Sequence, residues 1–64
     1  MSHCVVNWTM KFYCTYGDFT VQGAATALLV PRVGEFVNEF GRQMRVEIIT
    51  YHYDKGLIVI MLKD

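Results

Sequence analysis

The feature that most restricts the fold is a two-residue alternation through the first sixteen positions of this 64-residue chain. Cys4, Val6, Trp8, Met10, Phe12, Cys14 and Tyr16 are apolar at every second place, and Val5, Asn7, Thr9, Lys11, Tyr13 and Thr15 between them are mostly polar. Strand side chains alternate between two faces, so the pattern predicts one long, half-buried strand. Gly17-Asp18 interrupts it, and a glycine at the first central position of a two-residue loop suits a type II′ hairpin. Pairing Tyr16 with Phe19 then sets Cys14 against Val21, Phe12 against Gly23, Met10 against Ala25, Trp8 against Ala27 and Val6 against Leu29. Every partner on that face is apolar or glycine, and a slip by one residue inverts the arrangement.

Further along, Pro31-Arg32-Val33-Gly34 predicts a turn, Glu35 to Asn38 a short strand, and Phe40-Gly41 a second break. Gln43 to Tyr53 predicts a strand with Met44, Val46, Ile48, Thr50 and His52 on one face. Asp54-Lys55-Gly56 suits a three-residue turn that pairs Tyr53 with Leu57, Tyr51 with Val59 and Ile49 with Met61. Leu57 to Lys63 is the last strand, with Ile58, Ile60 and Leu62 sharing the face of Val46 and Ile48. A rival pattern exists in the middle of the chain. Val33, Phe36, Val37 and Phe40 fall at helical spacing, which allows a short helix near 32–40 and a ββαββ order in place of five strands. Gly34 inside so short a helix weighs against it. The expected fold is therefore all-β: one small domain over residues 1–64, a five-stranded SH3-like barrel or strongly bent antiparallel meander.

The stretch from Pro31 to Leu62 resembles a family of short uncharacterised bacterial and phage proteins. These carry a Pro-Arg-Val-Gly-Glu-x-Val turn, then a glycine, then a hairpin ending in an apolar strand. The matching residues are Pro31, Arg32, Val33, Gly34, Glu35, Val37, Gly41, Val46, Asp54, Gly56, Ile58 and Val59. The motif is structural, so the resemblance implies a fold and no activity.

Composition narrows the function. At 53% hydrophobic and 19% charged residues, disorder is excluded. Six Lys+Arg balance six Asp+Glu, which leaves no basic excess to drive polyanion binding. Cys4 and Cys14 lie on one predicted strand roughly 33 Å apart, too far for a disulfide. Two free thiols and the absence of a basic segment followed by an apolar run after Met1-Ser2-His3 lead us to expect a cytoplasmic protein. The longest apolar run, Leu57 to Leu62, is too short to span a bilayer as a helix.

No catalytic, cofactor or metal site is expected. His3, His52, Cys4 and Cys14 match no zinc spacing. Cys14 on an apolar face is expected to be inert. Glu35, Glu39 and Glu47 form no acid–base pair. Nucleic acid is disfavoured because Trp8, Phe12 and Tyr16 belong to the predicted core face, leaving Lys11, Arg32, Arg42 and Arg45 as scattered phosphate contacts.

What remains is an excess of apolar surface. Leu57 to Leu62 is apolar on both faces, and so short a chain has little left to cover the second one. Contiguous exposed apolar surface marks interaction sites. The expected function is a small non-catalytic module that homo-oligomerises or binds a protein partner through Ile49, Tyr51, Tyr53, Leu57, Val59 and Met61. Tyr51, His52 and Tyr53 at the last hairpin's tip form a possible ligand site. Two alternatives are an oligomeric enzyme or small-molecule binder with a site at the subunit junction, and a single-stranded nucleic-acid binder. The plasmid-encoded trimethoprim-resistant dihydrofolate reductases are similar in length and fold, but their Val-Gln-Ile-Tyr signature is matched only in its first half by Val21-Gln22-Gly23-Ala24.

Overall fold

The computed structural model describes residues 7–24 and 28–64. Five strands form in chain order: β1 (Asn7–Cys14), β2 (Gly17–Ala24), β3 (Phe36–Glu39), β4 (Arg42–His52) and β5 (Leu57–Lys63). They make one sheet ordered β2-β1-β5-β4-β3. The fold is all-β, and residues 32–40 form a turn and strand β3 rather than a helix. The neighbours are antiparallel except at the centre, where β1 runs parallel to β5, so the sheet departs from a simple antiparallel meander.

The first hairpin keeps its expected faces along β1 but not its expected partners, and Tyr16, expected on the core face opposite Phe19, lies in the loop and is 40% exposed. The loop is Thr15-Tyr16, and Cys14 lies opposite Gly17 instead of Val21. Gly17 follows the turn with φ 140°, a conformation glycine adopts without steric cost. The displacement along β2 is an even number of residues, so each side chain stays on its face while its neighbour changes. Phe12 stacks on Phe19 with centroids 4.5 Å apart, and Trp8 lies opposite Gly23. The expected contacts of Val6, Ala25 and Ala27 involve residues outside those described, as does Cys4; Cys14 is a free thiol.

The turn after Pro31 has a clear local cause. Gly34, with φ 96°, supplies the positive angle of a type II turn closed by Glu35 N–H donating to the Arg32 carbonyl at 3.0 Å. The Glu35 carboxylate accepts the Arg32 N–H at 2.8 Å, so Glu35 staples the turn that precedes β3. Between β3 and β4, Phe40 and Gly41 have φ of 55° and 71°, the paired positive angles of a type I′ hairpin.

The last hairpin departs most from the sequence expectation. Its loop is the four residues Tyr53 to Gly56, so His52, not Tyr53, lies opposite Leu57. A β-bulge between Val46 and Ile48 adds one residue to β4. The core face of β4 is Met44 and Val46 before the bulge, then Ile49 and Tyr51 after it, opposite Ile60 and Ile58. Ile48, expected beside Val46, turns outward and is 57% exposed.

The core lies on the concave side: Met10, Phe12, Met44, Val46, Ile58, Ile60 and Leu62, with no polar side chain buried among the described residues. The sheet curls into a half-barrel, consistent with a small SH3-like barrel. Contacts between its two edges show the curl. Phe19 of β2 meets Phe40 of the β3–β4 turn edge-to-face at 5.8 Å. Arg42 lies 4.6 Å over the Tyr16 ring, and the Tyr16 hydroxyl donates to Asp64 at 2.5 Å. One end of the half-barrel is thus closed by aromatic contacts. No helix long and apolar enough to cross a membrane occurs among the described residues.

Candidate functional site

The six side chains expected to form one apolar surface separate into two groups. Leu57, Val59 and Met61 of β5 project from the outer face of the sheet. Ile49, half-buried against the core, and Tyr51 are on the concave side; Tyr53 follows in the turn. The one-residue change in the β4–β5 pairing is the reason, because it reverses which β4 residues share a face with Leu57, Val59 and Met61.

On the outer face the pairing builds three rows across the three central strands: Thr9, Leu57 and His52; Lys11, Val59 and Thr50; Tyr13, Met61 and Ile48. The apolar stripe of β5 is therefore continuous with Tyr13 and Ile48 at one end. Met61 is 42% exposed, and no second layer of the protomer lies on this face among the described residues. Phe36 of β3, 61% exposed, lies beyond Arg45 on the same face. Arg45 donates to Glu47 at 2.9 Å, an exposed pair that contributes little to stability. Ile48 and Phe36 were missed from sequence as surface residues. The adjacent isoleucines Ile48-Ile49 in an otherwise alternating strand were the available signal, since two bulky apolar neighbours imply a change of phase.

The second feature lies at the other end of the half-barrel from the Tyr16 and Phe40 contacts. Trp8, Leu28, Val30, Tyr51, Tyr53 and Ile58 line a pocket of about 180 Å³. Tyr51 and Tyr53 are nearly parallel, 5.7 Å between centroids, and Trp8 stands at 82° to Tyr53 at 5.6 Å. Of the expected ligand residues, Tyr51 and Tyr53 meet here, joined by Trp8. His52 does not: it faces outward beside Leu57.

The basic residues considered for phosphate contact are dispersed. Lys11 is on the outer face, Arg42 covers Tyr16, Arg45 pairs with Glu47 and Arg32 is in the turn before β3. Tyr16 has its pKa raised above the usual tyrosine value, first by its hydrogen bond to Asp64 and then by desolvation, against the lowering influence of Arg42. This cluster braces the closed end of the sheet. Comparison with known proteins finds no matching family model, no matching curated protein and no matching solved structure.

Proposed function

We propose that this chain is a small non-catalytic interaction module that associates with a second copy of itself through the outer face of its sheet. The observation that carries the proposal is the outer side of the central strand, which has no second layer among the described residues: Met61 and its neighbour Ile48 are exposed, and Leu57, Val59 and Tyr13 beside them are half-buried. A central strand ordinarily has a layer packed on each apolar face, and apolar surface left open favours association. A two-fold pairing places the same stripe on itself, which suits a surface whose apolar centre is flanked by Thr9, Thr50 and Lys11. The chain's formal net charge of zero sets no long-range repulsion between copies.

The test is Val59→Asp, measured by light scattering coupled to size exclusion. Wild type elutes as a dimer or larger at tens of micromolar, and the variant as a monomer with an unchanged β signal in circular dichroism. Wild type that is monomeric throughout, or a folded variant that keeps the wild-type mass, overturns the proposal. Met61→Lys, at a more exposed position, serves if Val59→Asp does not fold.

A further inference from the structure

We infer that β2 pairs edge to edge with β2 of a second copy, antiparallel about a two-fold axis at Thr20. This contact is separate from the outer stripe, because it is made by the backbone of an end strand and not by the side chains of β5. The two ends of the sheet are built differently. β3 has four residues and ends on Glu39, with Glu35 just before it. β2 has eight residues, Asp18 as its only charge, no proline and no break in its pairing with β1. Short strands, charges, prolines and bulges are the devices that keep sheet edges apart, and β2 has none of them beyond the one aspartate.

The register of the first hairpin says which backbone groups point away from β1. Cys14 and Gly17 close the two-residue loop as a hydrogen-bonded pair, and bonding alternates from there. Gly17, Phe19, Val21 and Gly23 therefore bond to β1, while Asp18, Thr20, Gln22 and Ala24 turn their backbone groups to the other side. The Leu28 N–H donating to the Ala24 carbonyl at 3.1 Å has this same phase. The backbone groups of Asp18, Thr20 and Gln22 meet no further strand among the described residues.

The side chains select a second copy as the partner strand. Opposed residues of antiparallel neighbours share a face. An axis at Thr20 sets Thr20 against Thr20, Asp18 against Gln22 and Phe19 against Val21. Threonine pairs and aromatic–β-branched pairs are favourable cross-strand neighbours. Asp18 meets an amide and not a second carboxylate; the Gln22 amide donates one N–H to Thr9 Oγ1 at 3.3 Å and keeps the other. Val21, 41% exposed in the protomer, gains Phe19 of the partner copy as a neighbour. An axis one residue along, at Val21, sets Phe19 against glycine and draws in Ala24, whose carbonyl already accepts from Leu28.

A contact of one strand per copy is small, so it forms at higher concentration than the outer-face dimer. The experiment therefore uses Val59→Asp protein, with Met61→Lys as its substitute, followed by sedimentation equilibrium up to about 2 mM. It dimerises with a dissociation constant of about 1 mM. Thr20→Pro removes an N–H that the β1 ladder does not use, keeps the β signal in circular dichroism and abolishes this dimer. Thr20→Glu, which sets like charges against each other at the axis, serves if the proline variant does not fold. Register is read by cross-linking in a Cys4→Ser/Cys14→Ser background. Thr20→Cys oxidises to a disulfide-linked dimer, because opposed Cα atoms at a hydrogen-bonded pair are about 5.5 Å apart. Gln22→Cys does not, because its two copies are about 14 Å apart. Val59→Asp protein that stays monomeric throughout, a folded Thr20→Pro that associates equally well, or equal cross-linking at both positions overturns the inference. Val59→Asp that is already dimeric at tens of micromolar counts against the outer face, and Thr20→Pro still decides the β2 pairing.

Discussion

The bulge in β4 makes two adjacent isoleucines unequal, and that inequality is measurable. Ile49 is half-buried, lies opposite Ile60 and packs on the core, whereas Ile48 is 57% exposed. Truncating a fully buried isoleucine to alanine costs about 2–5 kcal/mol. Scaled to its partial burial, Ile49→Ala costs about 1.5–3 kcal/mol, and Ile48→Ala about 0.5 kcal/mol or less, as at most surface positions. A domain of this size has a total stability of about 3–10 kcal/mol, so the larger loss is a substantial part of it. With a urea dependence of about 1 kcal/mol per molar, Ile49→Ala moves the unfolding midpoint down by about 1.5–3 M and Ile48→Ala by about 0.5 M or less. Urea titrations followed by Trp8 fluorescence at low micromolar protein keep self-association from adding to either value. Equal shifts refute the bulge, and a larger loss at Ile48 restores the uninterrupted alternation that the sequence suggests.

Two further outcomes test the turns and the closed end. Gly34 has φ 96° and open space where a Cβ would stand, so Gly34→Ala costs about 1–2 kcal/mol from backbone strain alone. In thermal denaturation this lowers Tm by about 4–16 °C, and a synthetic chain with D-alanine at this position loses nothing; a harmless L-alanine excludes the type II turn. Tyr16 ionises above the ordinary tyrosine value of about 10 because its hydroxyl is bonded to Asp64. Its folded value exceeds its unfolded one, so its contribution to stability is present below about pH 10 and disappears as pH rises through the folded value. Ultraviolet titration of the phenolate shows Asp64→Asn moving this ionisation downward, and an unchanged curve removes the hydrogen bond as its cause.

Local chemistry was legible in the sequence wherever one residue decides the backbone. Gly34 and Gly56 with their positive φ fall in the expected turn segments, and β3 lies within one residue of its predicted bounds. The alternation of β1 correctly gave its buried face, Met10 and Phe12. Registers were less legible, because any even displacement of β2 preserves apolar faces, and composition does not favour a Phe12–Phe19 stack over Phe12 against glycine. The bulge was hidden for a related reason: alternation assumes constant phase, and Ile48-Ile49 satisfies either phase on its own. The pocket was half visible. Tyr51 and Tyr53 stand two apart at a hairpin tip, but Trp8 reaches them only because β1 lies parallel beside β5, a pairing between distant segments that no local pattern reveals.

The same central placement of β5 gives it a part in both the outer stripe and the aromatic pocket. Its inward residues Ile58, Ile60 and Leu62 hold β1 and β4 in one curled sheet, and Ile58 is also the floor of the aromatic pocket. Its outward residues Leu57, Val59 and Met61 alternate with these along a single backbone. A change in the pairing of this strand therefore reaches both faces at once, whereas Val59→Asp, which alters one outward side chain and leaves the pairing in place, is expected to keep the inner face as it is.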